Sequence, residues 1–494
     1  MAWRAFEAIG VAMDAGWFAP RWWTLLGRTL LLATGATALA SLLGGSMAVI
    51  LGARSFRGAS FVRATVLTPL LLPPAFMIAV WERLAVPGGV LHHILPFVSD
   101  PERPFPIRNL YCAMVVLGVS YSPLLFFFVS EGIRSASSEL IDAARTWRGA
   151  MATFFRIQLP LACPAIVAGL GITFTLAFLN YEAPRLLQVD TYPVLVNLRF
   201  EAEDSPGLAT LFALPVFVVT ATFLLGTQFW ANRRGLSLSG RERGHSSRVR
   251  RRAGVLAWVA VGAWWAFCVV LPIGFLVSLA GSIQTFTGGL RTDWERILNG
   301  AAVCAGTALA CVSLAAVTVR PERRHLPPWL VLLWLPVALP GTLLGSSLIS
   351  LRGQLPLWMI SVYDSGWILV IAGTLRFFPL AYFALAAHLR TIPTSQWRAA
   401  RLASPARSVL RIYLPLALPG LVLGAVTVAL FQSQELAATL LVSPPGYELL
   451  ILRIYNLLHY DPERDLLAAL SLFHVVSVLA VLVLLVACRP RYRA

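Results

Sequence analysis

The chain has 494 residues, of which 58% are apolar and only 13% charged, and it carries a net charge of +17. Many stretches run about 20 residues without a charge, the length that crosses a bilayer core, so composition excludes a soluble globular enzyme and indicates a polytopic membrane protein. The positive balance is not the footprint of a nucleic-acid binder, because the arginines gather in short connections between apolar segments, following the bias of basic residues toward cytoplasmic loops.

Residues 1–20 carry Glu7 and Asp14 and lack a basic region followed by a clean apolar core, so a cleaved signal peptide is not expected. From there the apolar segments predict membrane helices near 22–51, 62–85, 110–133, 161–182, 208–231, 255–282, 301–319, 329–351, 366–389, 417–440 and 466–488, about 11 in all. The connections alternate in charge. Arg54, Arg57 and Arg63 follow the first helix, and residues 232–254 hold eight arginines and one glutamate. Arg320, Arg323 and Arg324 follow the seventh helix, and Arg489, Arg491 and Arg493 follow the last. These belong in the cytoplasm. The opposite connections hold Asp100 and Glu102; Asp190, Glu201, Glu203 and Asp204; Asp293 and Glu295; and Asp461, Glu463 and Asp465. The alternation puts the N-terminus outside and the C-terminus in the cytoplasm.

No lysine occurs, and every basic residue is arginine. That removes the phosphate-binding loop, whose lysine reaches the nucleotide, and it removes Schiff-base chemistry. Cys112, Cys163, Cys268, Cys304, Cys311 and Cys488 lie in or beside apolar segments without metal-ligand spacing and read as small packing residues. No metal site and no cofactor are expected. His92 and His93, adjacent in a loop, read as ordinary polar residues, and the 16 tryptophans fit interface belts.

A short basic motif occurs twice between apolar segments. One copy runs from Asp142-Ala143-Ala144 through Gly149 to Ile157, Leu159 and Pro160; the other runs from Arg398-Ala399-Ala400 to Ile412, Leu414 and Pro415. Each reads as a soluble helical elbow ending at a Leu-Pro that opens the next membrane helix, since proline suits a first helical turn. Other features repeat in the same order. Pro69 and Pro73 correspond to Pro336 and Pro340, offset by 267, and the carboxylates Glu182 and Glu435 each follow the helix after an elbow. A five-helix unit reverses sidedness, so a second copy needs one additional helix, 255–282, to bring its elbow to the same face. The predicted fold class is therefore all-α: a polytopic bundle of two parallel copies of a five-helix core plus one orienting helix. The first copy occupies 1–231, a basic cytoplasmic linker 232–254, and the orienting helix with the second copy 255–494.

The elbows resemble the cytoplasmic signature of permease subunits of binding-protein-dependent ATP-binding-cassette (ABC) importers. That signature is Glu-Ala-Ala, three residues, Gly, nine residues, Ile, one residue, Leu-Pro. Residues Leu67-Thr-Pro-Leu-Leu-Leu-Pro-Pro74, Gln434-Glu-Leu-Ala-Ala-Thr-Leu-Leu441 and Leu452-Arg-Ile-Tyr-Asn-Leu-Leu-His-Tyr460 look most similar to fused two-copy permeases for ferric iron and thiamine, the last tilting toward ferric iron. The resemblance implies an inner-membrane, multi-pass permease without its own ATPase site. It also implies two cytoplasmic ATPase subunits docked on the elbows, an extracytoplasmic solute-binding protein, surrounding lipids, and no nucleic-acid partner. The departures are Asp142 and Arg398 in place of glutamate, a glycine displaced by one to Gly149 and absent from the second elbow, and elbows one and two residues short of the pattern. The halves are then expected to dock unequally, or to dock a diverged ATPase.

Two readings stand for several residues. Glu182 and Glu435 either line the translocation path, as ionisable groups within a membrane often do, or end a helix at the interface. Pro73 and Pro340, with Pro69 and Pro336, either hinge path-lining helices or impose static bends. Arg248 and Arg250 to Arg252 either bind anionic headgroups or form a solvated tether. The rival functions are a secondary transporter, which would carry polar coupling residues in several spans, and a non-transporting scaffold with degenerate elbows.

Overall fold

A computed structural model of the chain describes residues 20–55, 58–72, 74–85, 99–100, 103–104, 108–134, 138–202, 206–234, 251–252, 254–319, 328–390, 392, 396–397, 409–460 and 464–487. Pro73, His92, His93, Arg398, Ala399 and Ala400 lie outside the described residues.

Small residues build the first half. Helix α1 (Pro20–Gly52) buries Ala33, Ala36 and Ala40, and its Gly44 lies so close to the backbone of Ser122 and Phe126 that a Cβ would collide with both. Close backbone approach through small residues is how helices associate where lipid supplies no hydrophobic drive. Threonine hydroxyls along α1 are satisfied inside the helix, Thr29 donating to Leu25 O at 2.8 Å and Thr37 to Ala33 O at 2.7 Å. Three short helices follow, α2 (Ala59–Thr65), α3 (Thr68–Leu71) and α4 (Pro74–Ala85), then α5 (Leu110–Arg134), the elbow helix α6 (Ser138–Thr153), α7 (Leu159–Leu179), α8 (Glu182–Leu186), α9 (Tyr192–Ala202) and α10 (Pro206–Arg233). Helices α1, α5, α7 and α10 pack together.

The second half begins at α11 (Val255–Leu279), whose course continues through the amphipathic α12 (Ile283–Thr292) into α13 (Trp294–Thr318). After a 3-10 turn at Pro328–Trp334 come α14 (Leu335–Ala338), α15 (Gly341–Arg352), α16 (Leu357–Tyr363), α17 (Trp367–Leu389), α18 (Leu414–Gln432), α19 (Ala437–Val442), α20 (Leu450–Tyr460) and α21 (Arg464–Ala487). Helices α13, α17 and α18 form its central trio. Equivalent helices of the two halves carry equivalent interior prolines, Pro123 in α5 against Pro379 in α17 and Pro164 in α7 against Pro419 in α18.

The halves exchange their last helices. Helix α10 packs on the 3-10 turn, α14 and α15 of the second half, while α21 packs on α3 of the first as well as on α11 and α12. An apolar seam of Ile172, Ala221 and Leu224 against Trp334, Val337 and Ala338 closes one side of the junction. The linker is anchored as well: Arg251 and Arg252 pair in parallel with Arg54 and Ser55.

The all-α bundle predicted from composition is what forms, with two differences. Among the described residues eight helices are long and apolar enough to cross a membrane, nine with the bent pair Leu330–Ala338 and Gly341–Arg352 counted as one span. The apolar segments 62–85 and 329–351, expected to be continuous, are broken. The first divides into α2, α3 and α4, with Leu72 extended between the last two, and the second bends by 88° at Leu339-Pro340. Proline explains both: its ring clashes with the preceding turn and it offers no N–H to the ladder.

Candidate functional site

The first elbow is two helical pieces joined at Gly149. Its φ of 72° is left-handed, which costs an L side chain about 1–2 kcal/mol, so glycine is required where it stands. Thr153 Oγ1 donates to Gly149 O at 2.7 Å and holds the joint. A π-helical turn, Phe154–Gln158, then carries Ile157 into Leu159 and Pro160, with proline in the first turn of α7. The second elbow ends in the same way: a π-helical turn at Val409–Tyr413 holds Ile412 and passes into Leu414 and Pro415 at the start of α18. Tyr413 Oη donates to Ala316 O at 3.3 Å and its ring lies 6.0 Å from that of the buried Trp397. Both elbows share this turn, which the described residues also show at Ser41–Gly45 and at Ala266–Val270, the latter again before a Leu-Pro.

Asp142 and Ala143 are exposed on α6, Ala144 is half-buried, and Arg145 pairs loosely with Asp142 at 3.9 Å. Sequence reading missed their neighbours. Trp147 is 90% exposed, and by helical spacing it shares one face of the first helical piece with Leu140, Ala143 and Ala144; Met151, beyond the Gly149 joint, is 72% exposed. Ile141, fully buried, anchors the opposite side. An apolar stripe facing outward on an otherwise polar helix marks an interaction surface. The signal was available in Leu140, Ala144 and Trp147 at i, i+4 and i+7.

A second constellation gathers at the opposite end of α7 and α18. Arg376 on α17 and Glu435 after α18 form an ion pair at 2.7 Å, their side chains only 10% and 11% exposed. Glu435 Oε1 also accepts the Ala438 N–H at 3.0 Å, capping α19. Gly341, the first residue beyond the Pro340 bend, fits against this pair: a Cβ there would strike the Arg376 guanidinium, Glu435 Oε1 and Ala437. Pro340 is itself buried, with an extended ψ of 135° that turns the chain into α15.

From the first half, Asn180 Oδ1 accepts the Ala183 N–H at 3.0 Å and so places Glu182 at the start of α8. Glu182 and Glu435 lie within electrostatic range of each other, so the structure brings the two repeated carboxylates to one interior region. No ion pair reaches Glu182 among the described residues. The cluster is asymmetric, Arg376 pairing with Glu435 and with no other carboxylate among the described residues. Arg376 was the member that sequence reading did not single out, although it is the charge that interrupts the apolar run of α17. Among the described residues no cluster of histidine, cysteine and carboxylate side chains has the makings of a metal site.

The sequence is similar to those of transport permeases. An Fe(3+)-transport system permease protein of Haemophilus influenzae is 21% identical over 457 residues, covering 89% of this chain and 85% of the relative. The molybdenum transport system permease protein ModB of Mycobacterium tuberculosis is 28% identical over 244 residues, 45% of this chain and 87% of that protein. A probable molybdenum ABC transporter permease of Haloferax volcanii is 28% identical over 206 residues, 40% of this chain and 73% of the relative. Most of each molybdenum permease is thus matched within less than half of this chain. No family profile matches the chain, and no solved structure matches it. The homologues of this multi-pass membrane protein are ABC-transporter permeases, those for ferric iron spanning most of its length.

Proposed function

We propose that the chain is the membrane-spanning permease subunit of an ATP-driven importer, its two halves enclosing a path for a small solute. The observation that carries this reading is the elbow. A polytopic bundle repeats one basic motif, each copy ends in the same π-helical turn and Leu-Pro, and the first presents Leu140, Trp147 and Met151 outward. Apolar side chains on a polar helix fit a cleft in a partner, and the partner that suits a chain homologous to ABC permeases is an ATPase subunit, one at each elbow.

In this reading the halves 1–231 and 255–494 meet around the path, with the N-terminus outside and the linker 232–254, the elbows and the C-terminus in the cytoplasm. ATP binding closes the two ATPase subunits, which draw the elbows together. The rigid helices α7 and α18, which start at those elbows, carry the motion to the Glu182 and Glu435 region. The chain performs no covalent chemistry and binds no nucleotide; it converts elbow displacement into alternating access. An extracytoplasmic binding protein delivers the solute. Ferric iron is the substrate favoured by the long matches to ferric-transport permeases.

Purification of the chain from its native membrane tests the reading. A stoichiometric ATPase subunit is expected, and its reproducible absence would sink the proposal. Replacing Ala143 with glutamate should abolish the association while the bundle stays folded.

A further inference from the structure

We propose that Gln434 and Thr220 are positioning residues that latch each half of the permease to the proline-broken helix of the other, and that the change of access breaks the Gln434 latch. The inference rests on the transport reading above.

The prolines create the need. In a continuous helix the Leu70 carbonyl would accept the N–H of residue 74, but residue 74 is proline and has none. The backbone leaves the helix at Leu72, and the Leu70 carbonyl is instead capped from the second half, Gln434 Nε2 donating to it at 2.6 Å. In the second half the chain turns extended at Leu339 and bends by 88°, which removes the Ala338 carbonyl from the helix beyond. That carbonyl is capped from the first half, by Thr220 Oγ1 of α10 at 2.9 Å. The two caps are reciprocal across the junction. An uncapped carbonyl at such depth has no water to replace its donor, so each bond restrains the halves.

The caps differ in how they let go. Thr220 has one hydroxyl proton and three carbonyls in reach: Ala338 O, Val216 O at 2.8 Å and Phe217 O at 3.1 Å. When the halves part, its proton returns to its own helix, as threonine in a helix commonly does. Gln434 Nε2 reaches no other acceptor among the described residues, and it sits between two moving parts. It follows the end of α18, whose start is the elbow at Leu414-Pro415, and it precedes Glu435, which holds Arg376 against the Pro340-Gly341 bend. Displacement of the second elbow along α18 therefore pulls first on the bond between Gln434 and Leu70.

The test uses the full chain with its ATPase subunits in lipid nanodiscs, reading the ATPase rate in the absence of binding protein. Gln434→Met keeps the side-chain length and loses the donor; it should raise that uncoupled rate about three- to tenfold, the range of one net hydrogen bond. Thr220→Val should raise it less than about twofold, and Thr220→Ser should restore the wild-type rate. A Gln434→Met complex that assembles and turns over at the wild-type rate overturns the latch. Should that variant fail to assemble, cysteines introduced as Leu70→Cys and Gln434→Cys, with the single replacements as controls, read the bond directly. Cross-linking should occur without nucleotide and be lost when ATP is trapped with vanadate; equal cross-linking in both states overturns the proposal. A wild-type chain that recruits no ATPase overturns the permease reading and the latch with it, whereas a coupled wild type with an unmoved latch overturns the latch alone.

Discussion

At the scale of single residues, the informative side chains are those whose environment contradicts their chemistry. Trp147 is a large apolar group left almost wholly uncovered by the rest of the chain. Trp147→Ala should change the unfolding free energy by less than about 0.5 kcal/mol, as expected of an exposed site. The same change should weaken association with the ATPase subunit about tenfold or more, the loss typical of an aromatic anchor; a pull-down and a thermal melt on the same preparation check both. Arg376 and Glu435 are the converse, charges taken out of water and tolerated because they pair. Arg376→Met leaves the Glu435 carboxylate alone and should cost about 3 kcal/mol in thermal unfolding. Joining it to Glu435→Gln should recover most of that loss, because removing both charges also removes the uncompensated one. A double variant no more stable than the single would show that the pair is not what holds the site. Asp293 is fully buried between Arg296 at 2.6 Å and Arg453 at 3.4 Å, so it ties α13 to α20. Asp293→Ala should therefore lower stability by about 2–3 kcal/mol, checked by the melting temperature of the purified chain.

At the scale of elements, the elbows and the broken helices were unequally legible. The Leu-Pro endings, the basic motif and the carboxylates after each elbow were readable because they depend on proline geometry and on order along the chain. The conformation joining them was not: the π-helical turns at Phe154–Gln158 and Val409–Tyr413 have no residue signature beyond the shared Arg-Ile. The left-handed joint at Gly149 was half legible, since glycine marks a turn but does not fix which. Gly149→Ala should destabilise the elbow by about 1 kcal/mol and reduce coupling, measured as transport per ATP hydrolysed, while leaving the membrane helices intact by circular dichroism. The segments 62–85 and 329–351 were expected to be single spans because hydropathy counts apolar residues and not hydrogen bonds. Their prolines at 69, 74, 336 and 340 break what hydropathy joins.

At the scale of the whole molecule, the two halves are held by more than the linker. The exchange of α10 and α21, the seam of Ile172, Ala221 and Leu224 against Trp334, Val337 and Ala338, and the caps on Leu70 and Ala338 all cross the junction. Residues 1–240 and 241–494 expressed as separate chains in one cell should therefore co-purify and assemble with the ATPase. Recovery of the halves only as independent species would mean that the linker, and not the packing, maintains the junction.

The sequence by itself determined the membrane class, the all-α fold and the repeated order of motifs. Each of these follows from composition, charge alternation or proline chemistry, which act locally. Only the tertiary structure decided that Arg376 meets Glu435, that Glu182 shares their region, that Trp147 faces outward, and that each broken helix is capped by the opposite half. Those outcomes depend on which helix faces pack together, and in uniformly apolar helices such as α7, α10 and α18 no amphipathic pattern marks that face; close approach of small residues and the need to satisfy buried polar groups select it.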